Sequence, residues 1–319
     1  MRSLVAVALT LVLAGAAWAQ PYPAKPVRFI VSFPPGGSAD VMVRLVAPRL
    51  AERLGQQFVV ENRAGAGGNI GVDAVAKAAP DGHTIGLAAA GALSVNPHLY
   101  PNMPFDPQKD LAPISALAMI PFFLIAHPTL PAKDLRELIA LARSRPGDVS
   151  FGHGGQGSAM HLSGELLNLM AEIKLQAVPY KGSAPVATDV LGGQIPLGVT
   201  DVPSAIAHIR AGKIKALAVT TRQRIDAAPE VPTFHEAGVP GYESIGWFGA
   251  VAPAGTPARI VELLAKEMAA ALQVPEIRSR VLATGMEPFT NTPQEFAAMI
   301  RDESRKWAQV IKTAKVTLN

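Results

Sequence analysis

The stretch Phe33-Pro34-Pro35-Gly36-Gly37-Ser38-Ala39-Asp40 decides the fold. Ahead of it, Val27-Arg28-Phe29-Ile30-Val31 has the length and β-branching of a buried strand, and behind it Val43, Val46, Ala47, Leu50 and Leu54 recur at helical spacing. The order is therefore strand, glycine-rich turn, helix. Ser38 stands where an N-cap belongs, and Gly36 and Gly37 let the backbone turn tightly and approach a ligand with no Cβ in the way. The first amides of a helix have no partner inside it, so a carboxylate or phosphate oxygen placed there is held by N–H groups and by the positive helix end. The stretch reads as half of an anion seat. Short strand-to-helix turns are also ordinary connections in α/β proteins, and what gives this one weight is that its pattern returns.

Working outward, Phe58-Val59-Val60 is a second strand leading into Arg63-Ala64-Gly65-Ala66-Gly67-Gly68-Asn69, with Asn69 the expected cap of a helix through Lys77. Thr84 to Ala89 is a third strand. Pro48 lies inside the first helix, where it removes a donor and is expected to bend the chain. Pro97 to Pro113 is rich in Pro, Asn and Asp and reads as a surface connection, followed by apolar runs at 114–120 and 122–126. A helix is expected around Asp134 to Arg143. Val149-Ser150-Phe151 then runs into Gly152-His153-Gly154-Gly155-Gln156-Gly157-Ser158 and a helix to about Leu169, repeating the opening arrangement. Leu175 to Val178 is a strand, and Tyr180-Lys181-Gly182-Ser183 opens a third serine-capped helix through Leu191. Strands at 196–199 and 216–219 end at Thr200-Asp201 and Thr220-Thr221. Gly246 to Ala252 is a strand, Thr256-Pro257 is a cap followed by proline at the first helical position, and Thr292-Pro293-Gln294-Glu295 has capping-box spacing. Alternating strands and helices with short turns give an α/β fold with a mostly parallel sheet in each of two lobes. The expected division is 20–125 with 243–319 as lobe 1 and 126–242 as lobe 2, the ligand cleft lying between them.

The chain has 319 residues, 49% hydrophobic and 17% charged, long enough for two cores. Its net charge of +4 is scattered, so there is no stripe for nucleic acid. Residues 1–19, from Met1-Arg2-Ser3 through an apolar run to Ala17-Trp18-Ala19, have the three parts of a secretory signal. Cleavage before Gln20 and a periplasmic location are expected. The absence of cysteine excludes disulfides, thiolate metal sites and a lipid-bearing N-terminal cysteine.

Hydrogen bonds to a charged group contribute about 1.5–3 kcal/mol each, whereas micromolar affinity needs about 8 kcal/mol. One loop is too little, and two loops closing on a ligand suffice. Two enzymes compete with a receptor. A nucleotide-dependent enzyme is suggested by Gly152, Gly154 and Gly157, which satisfy G-x-G-x-x-G spacing, although Glu172 precedes the strand whose end should carry the companion acid. An exported serine hydrolase is suggested by Ser38 on a strand-to-helix turn, although Asp40 occupies the closing-glycine position of a nucleophile elbow. His161 is either a polar contact in the cleft or a satisfied buried histidine. The dispersed histidines argue against a metal site. Asp40 either pairs with Arg44 one turn on or holds a ligand's amino group.

From Pro26 onward the chain resembles the substrate-binding proteins of tripartite tricarboxylate transporters, the TctC or Bug family of periplasmic receptors. The stretches that carry the resemblance are 34–40, Val60-Glu61-Asn62-Arg63-Ala64-Gly65-Ala66-Gly67-Gly68-Asn69-Ile70-Gly71, Gly157-Ser158-Ala159-Met160-His161-Leu162-Ser163-Gly164-Glu165, Pro179-Tyr180-Lys181-Gly182-Ser183-Ala184-Pro185 and 246–257. The resemblance implies a Venus-flytrap fold of the type II periplasmic kind, a carboxylate in the cleft without cofactor or metal, no enzymatic activity, and a monomer that delivers its ligand to the membrane permease subunits. It also implies that Phe33, Pro35, Gly36, Gly37, Ser38 and Asp40 grip one carboxylate through backbone amides and ordered water. Gly157, Ser158, Thr200 and Asp201 would contact it from the other lobe, and Ala89 and Ala90 would form part of the wall. Gly154 to Gln156 departs from the family spacing at that turn.

Overall fold

A computed structural model describes residues 22–314 and 316–317; the expected signal segment, 1–19, lies outside them. The chain begins with strand β1 (Val27–Val31), helix α1 (Ser38–Leu54), β2 (Phe58–Asn62), a 3-10 turn at Ala66–Gly68, α2 (Asn69–Ala76) and β3 (Thr84–Ala89). A π-helical turn, Gly91–Val95, runs into the short α3 (Asn96–Leu99), then β4 (Leu111–Ile120) and β5 (Phe122–Ala126). The middle of the chain forms α4 (Leu135–Ser144), β6 (Ser150–His153), α5 (Ala159–Ala171), β7 (Gln176–Pro179), α6 (Ser183–Leu191), β8 (Leu197–Asp201), α7 (Val202–Arg210) and β9 (Lys215–Val219). The end supplies β10 (Gly246–Pro253), α8 (Ala258–Leu272), α9 (Pro275–Ala283), β11 (Glu287–Pro288) and α10 (Pro293–Ala314). Among the described residues no helix is long and apolar enough to cross a membrane.

Two sheets result, ordered β11-β4-β10-β3-β1-β2 and β7-β6-β8-β5-β9, as the two-lobed α/β reading requires. The expected parallel pairing describes one half of each sheet. β1 pairs in parallel with β2 and β3, and β6 with β7 and β8. Strands that enter from the crossings, β10 and β4 in one sheet and β5 and β9 in the other, pair antiparallel. The chain passes between the sheets without an intervening helix, from Ile120 at the end of β4 to Phe122 at the start of β5.

The core follows the apolar periodicity. Phe29, Met42, Val46 and Leu50 are fully or nearly fully buried between β1 and α1, and Phe296, Ile300, Trp307 and Val310 point inward from α10. α10 packs against α5, β4 and the Gly91–Val95 turn, tying both sheets together. Its start is a reciprocal capping box, with Thr292 N donating to Glu295 Oε2 at 2.9 Å and Glu295 N to Thr292 Oγ1 at 3.2 Å.

Several caps differ from the sequence reading. Gly37, Gly68 and Gly182 are the N-caps of α1, α2 and α6, none with a side-chain cap bond, so Ser38, Asn69 and Ser183 are first helical residues instead. Glycine takes the extended or left-handed conformation of the cap position, which frees the next side chain for contacts elsewhere. Likewise Pro257 is the N-cap of α8, and Thr256 Oγ1 donates to Pro253 O. The helical segment Gly91–Leu99 was not anticipated, because its buried Ser94 and Asn96 interrupt any apolar period.

Candidate functional site

In both sheets a strand flanked by two parallel neighbours, β1 and β6, opens at its carboxyl end into a glycine-rich loop and a helix. This is where α/β sheets bind ligands, because neighbouring helices leave in opposite directions and part the loops.

The loop after β1 is held from behind by Asp40. Its Oδ2 accepts the Gly36 amide at 2.9 Å and Arg44 Nε at 2.9 Å, and its Oδ1 accepts Asn62 Nδ2 at 2.9 Å. Asn62 Nδ2 also donates to Phe33 O at 3.1 Å. Burial raises the Asp40 pKa, but Arg44, the Gly36 amide and Asn62 outweigh it and hold the carboxyl below its ordinary value. Both oxygens are therefore committed inside the protein, and the pairing with Arg44 describes Asp40. Gly36 is left-handed, φ +82°, and Gly37 is extended, φ −79°. The Gly37, Ser38 and Ala39 amides have no hydrogen-bond partner among the described residues. Pro35, Gly36 and Gly37 are exposed and Ser38 half-buried. The Phe33 ring lies 6.1 Å from that of Phe248.

The loop after β6 is built differently. His153 and His161 are both buried and stack with ring centroids 4.3 Å apart. His161 Nδ1 accepts the Gly157 amide at 3.3 Å, and Ser158 is a true N-cap whose Oγ accepts His161 N at 3.2 Å. The Ala159 and Met160 amides are without partners among the described residues. Burial lowers the His153 pKa to about 3, helped by His161, and that of His161 to about 4. Both rings are neutral at pH 7. His161 thus supports the loop from beneath.

Thr200 and Asp201 have internal partners. Thr200 is fully buried and donates its hydroxyl to Ser183 O at 3.2 Å. Asp201 caps α7 by accepting Ser204 N at 3.1 Å, and accepts the Ser183 hydroxyl at 2.8 Å. Ala89, half-buried, ends β3, and the buried Ala90 leads into the π-helical turn. The loops of the two sheets meet at glycines. A Cβ on Gly91 would lie 3.3 Å from Gly157 O, and one on Gly157 would lie 2.8 Å from Asn96 Oδ1. Asn62, Asn96 and His153 are the residues that sequence reasoning passed over. The available signal for Asn62 was its place at the carboxyl end of the strand beside β1.

The geometry bears on the enzyme readings. Among the described residues no hydrogen bond joins the Ser38 hydroxyl to a histidine, the pairing by which a serine nucleophile is commonly activated. Glu172 is the C-cap of α5, a helix of 13 residues, and at 1.5 Å per residue it lies about 20 Å from the glycines it would serve. No cluster of His, Asp and Glu fit for a metal ion occurs among the described residues. What each loop can do is offer unpaired amides at a helix start to an anionic group.

The family model of the tripartite tricarboxylate transporter family receptor matches residues 42–316. Protein BugT of Bordetella pertussis is 41% identical over 295 residues, covering 92% of this chain and 90% of that protein. Among solved structures, R. palustris Rpa4515 with adipate has a TM-score of 0.85 at 38% identity, covering 93% of this chain and 99% of that one. MatC from Rhodopseudomonas palustris with bound malate has a TM-score of 0.82 at 32% identity, covering 91% of this chain and 100% of that one.

Proposed function

The chain belongs to the tripartite tricarboxylate transporter receptor family, and from that premise we propose that it is a periplasmic receptor that holds a small organic carboxylate between its lobes and delivers it to a membrane permease of the tripartite type. The observation that carries the reading is the Asp40 latch, which fixes the loop after β1 while leaving the Gly37, Ser38 and Ala39 amides without partners. In this reading the Ala159 and Met160 amides at the start of α5, also without partners among the described residues, supply the second half. The adipate and malate in the related structures support a carboxylate ligand. In this reading Phe33, Pro35, Gly36, Gly37, Ser38, Ala89, Ala90, Gly157 and Ser158 line the cleft. Asp40, His161, Thr200 and Asp201 shape it from behind.

The membership of β5 in the second sheet supports dividing the lobes near Pro121, a few residues ahead of the 125/126 division read from the sequence. A ligand shifts an open–closed equilibrium only through contacts made preferentially in one form, so closure depends on touching both helix starts. Isothermal titration of the mature protein against mono-, di- and tricarboxylates, with product analysis of the same mixtures, tests this. Saturable binding without turnover is expected; turnover of any bound acid would favour an enzyme.

A further inference from the structure

The strand register turns the carboxyl ends of the two sheets toward each other. Phe122, at the start of β5, pairs with Asp201 at the end of β8; across the crossing Ile120 pairs with Gly246, two residues from the Phe248–Ala89 pair at the end of β3. Counted away from the crossing, the parallel strands run β3, β1, β2 in one sheet and β8, β6, β7 in the other. The loops after β2 and β7 are thus the two lips of the cleft, farthest from the crossing. The segments that link β1, β3, β6 and β8 to the helices after them contain no Lys or Arg. On the first lip Arg63 Nε pairs with Glu61 Oε1 at 2.6 Å, and Glu61 Oε2 also pairs with Arg28 Nη2 at 2.7 Å. On the second stands Lys181, exposed and without an ion pair or side-chain hydrogen bond among the described residues.

The backbone around Lys181 is tied to the ends of β6 and β8. Tyr180 N donates to His153 O at 2.9 Å, and Ser183 donates its hydroxyl to Asp201 Oδ2 at 2.8 Å while its carbonyl accepts the Thr200 hydroxyl at 3.2 Å. Between them Gly182 is left-handed, φ +115°, and a Cβ there would meet nothing within 4 Å, so the space beside Lys181 is open. Asp201 takes its hydrogen bonds from Ser204 N and the Ser183 hydroxyl, both neutral. Among the described residues no cation pairs with it.

We propose that Lys181 is a lip cation by which the receptor favours acids carrying a second negative charge; the proposal rests on the carboxylate-receptor reading above. Amides at a helix start hold one carboxylate whatever the rest of the ligand carries, so telling a dianion from a monoanion requires a charge elsewhere. Lys181 supplies it as an ammonium on a flexible four-carbon stem. It acts through solvent over the Debye length of about 8–10 Å, and it offsets the repulsion that the Asp201 carboxylate exerts on an incoming anion. Two unit charges that far apart in water attract enough to change affinity about two- to fivefold.

The test is isothermal titration at pH 7 with acids of matched chain length that differ by one carboxylate: butyrate and succinate, valerate and glutarate, hexanoate and adipate. The ratio of Kd values within a pair is measured in the native protein, Lys181→Met, Lys181→Arg and Lys181→Glu, at low and at high salt, so that any general weakening cancels. At low salt the preference for the diacid is expected to fall about two- to fivefold in Lys181→Met, to fall further in Lys181→Glu and to survive in Lys181→Arg. High salt should erase the differences between the proteins, which a purely structural role of Lys181 would not produce. A ratio that is the same in all four proteins at low salt, or a difference that salt leaves untouched, overturns the proposal while leaving the carboxylate reading intact. Binding of the monoacids without any of the diacids overturns it as well. Failure of all six acids to bind counts against the carboxylate reading itself, and the role of Lys181 falls with it.

Discussion

The amide of Gly36 donates to Asp40 Oδ2 at 2.9 Å, closing the turn after β1 upon the first turn of the helix it precedes. One carboxylate thereby holds the turn and, through Arg44 Nε at 2.9 Å and Asn62 at 2.9 Å, anchors it to α1 and to the end of β2. The loop is preorganised before any ligand arrives, which lowers the ordering cost of binding.

Asp40→Ala removes these three bonds. Hydrogen bonds to a charged group contribute about 1.5–3 kcal/mol each, and solvent partly replaces those to the exposed Gly36 and Arg44. A net loss of about 1–3 kcal/mol in stability is expected in urea unfolding, together with weaker carboxylate binding. Because the folded pKa of Asp40 is depressed, its contribution is fully present above the unfolded value of about 3.9. It is lost as pH falls through the lower folded value. Unchanged binding in the variant would show that the latch does not order the seat.

Gly36 and Gly37 are not equivalent. A side chain at Gly36 meets nothing within 4 Å but must adopt φ +82°, whereas Gly37 is extended with its nearest contact at 3.8 Å. Gly36→Ala is expected to cost about 1–2 kcal/mol, and Gly37→Ala to stay within about 0.5 kcal/mol of the native protein. Paired denaturation curves distinguish the two. Any loss of binding in Gly37→Val then reports obstruction of the cleft rather than misfolding.

The serines at the helix starts separate in the same way. Ser158 caps α5, so Ser158→Ala is expected to cost about 1 kcal/mol. Ser38 makes no cap bond, and Ser38→Ala is expected to leave the melting temperature unchanged. A reversed order in calorimetry would contradict the assignment of caps.

The stacked histidines predict an acid sensitivity. Burial lowers both pKa values below that of an unfolded histidine, so the unfolded chain binds more protons and stability falls as pH drops from about 6.5 toward the folded values near 4 and 3. Each contributes about 1.4 kcal/mol per pH unit across its window. Glu165, 3.9 Å from His161 and raised by burial, acts in the opposite sense. His153→Leu should flatten the dependence between pH 6 and 4.5 relative to the native protein. Parallel urea titrations with identical slopes would refute neutral burial of this pair.

The sequence by itself determined the alternation of strands and helices, the glycine-rich turns at the carboxyl ends of β1 and β6, and the Thr292–Glu295 capping box, because each depends on residues within one or two turns of one another. The family likeness was legible for the same reason, since its motifs are contiguous. Only the tertiary structure decided that Gly37 rather than Ser38 caps α1, that Asp40 faces inward to Arg44 and to Asn62, 22 residues away, and that Thr200 and Asp201 have partners within the second lobe. It alone stacked His153 on His161 and brought Asn96 against Gly157. A side chain's role in a cleft depends on which donors and acceptors remain after long-range pairing, and periodicity along the chain carries no record of those partners.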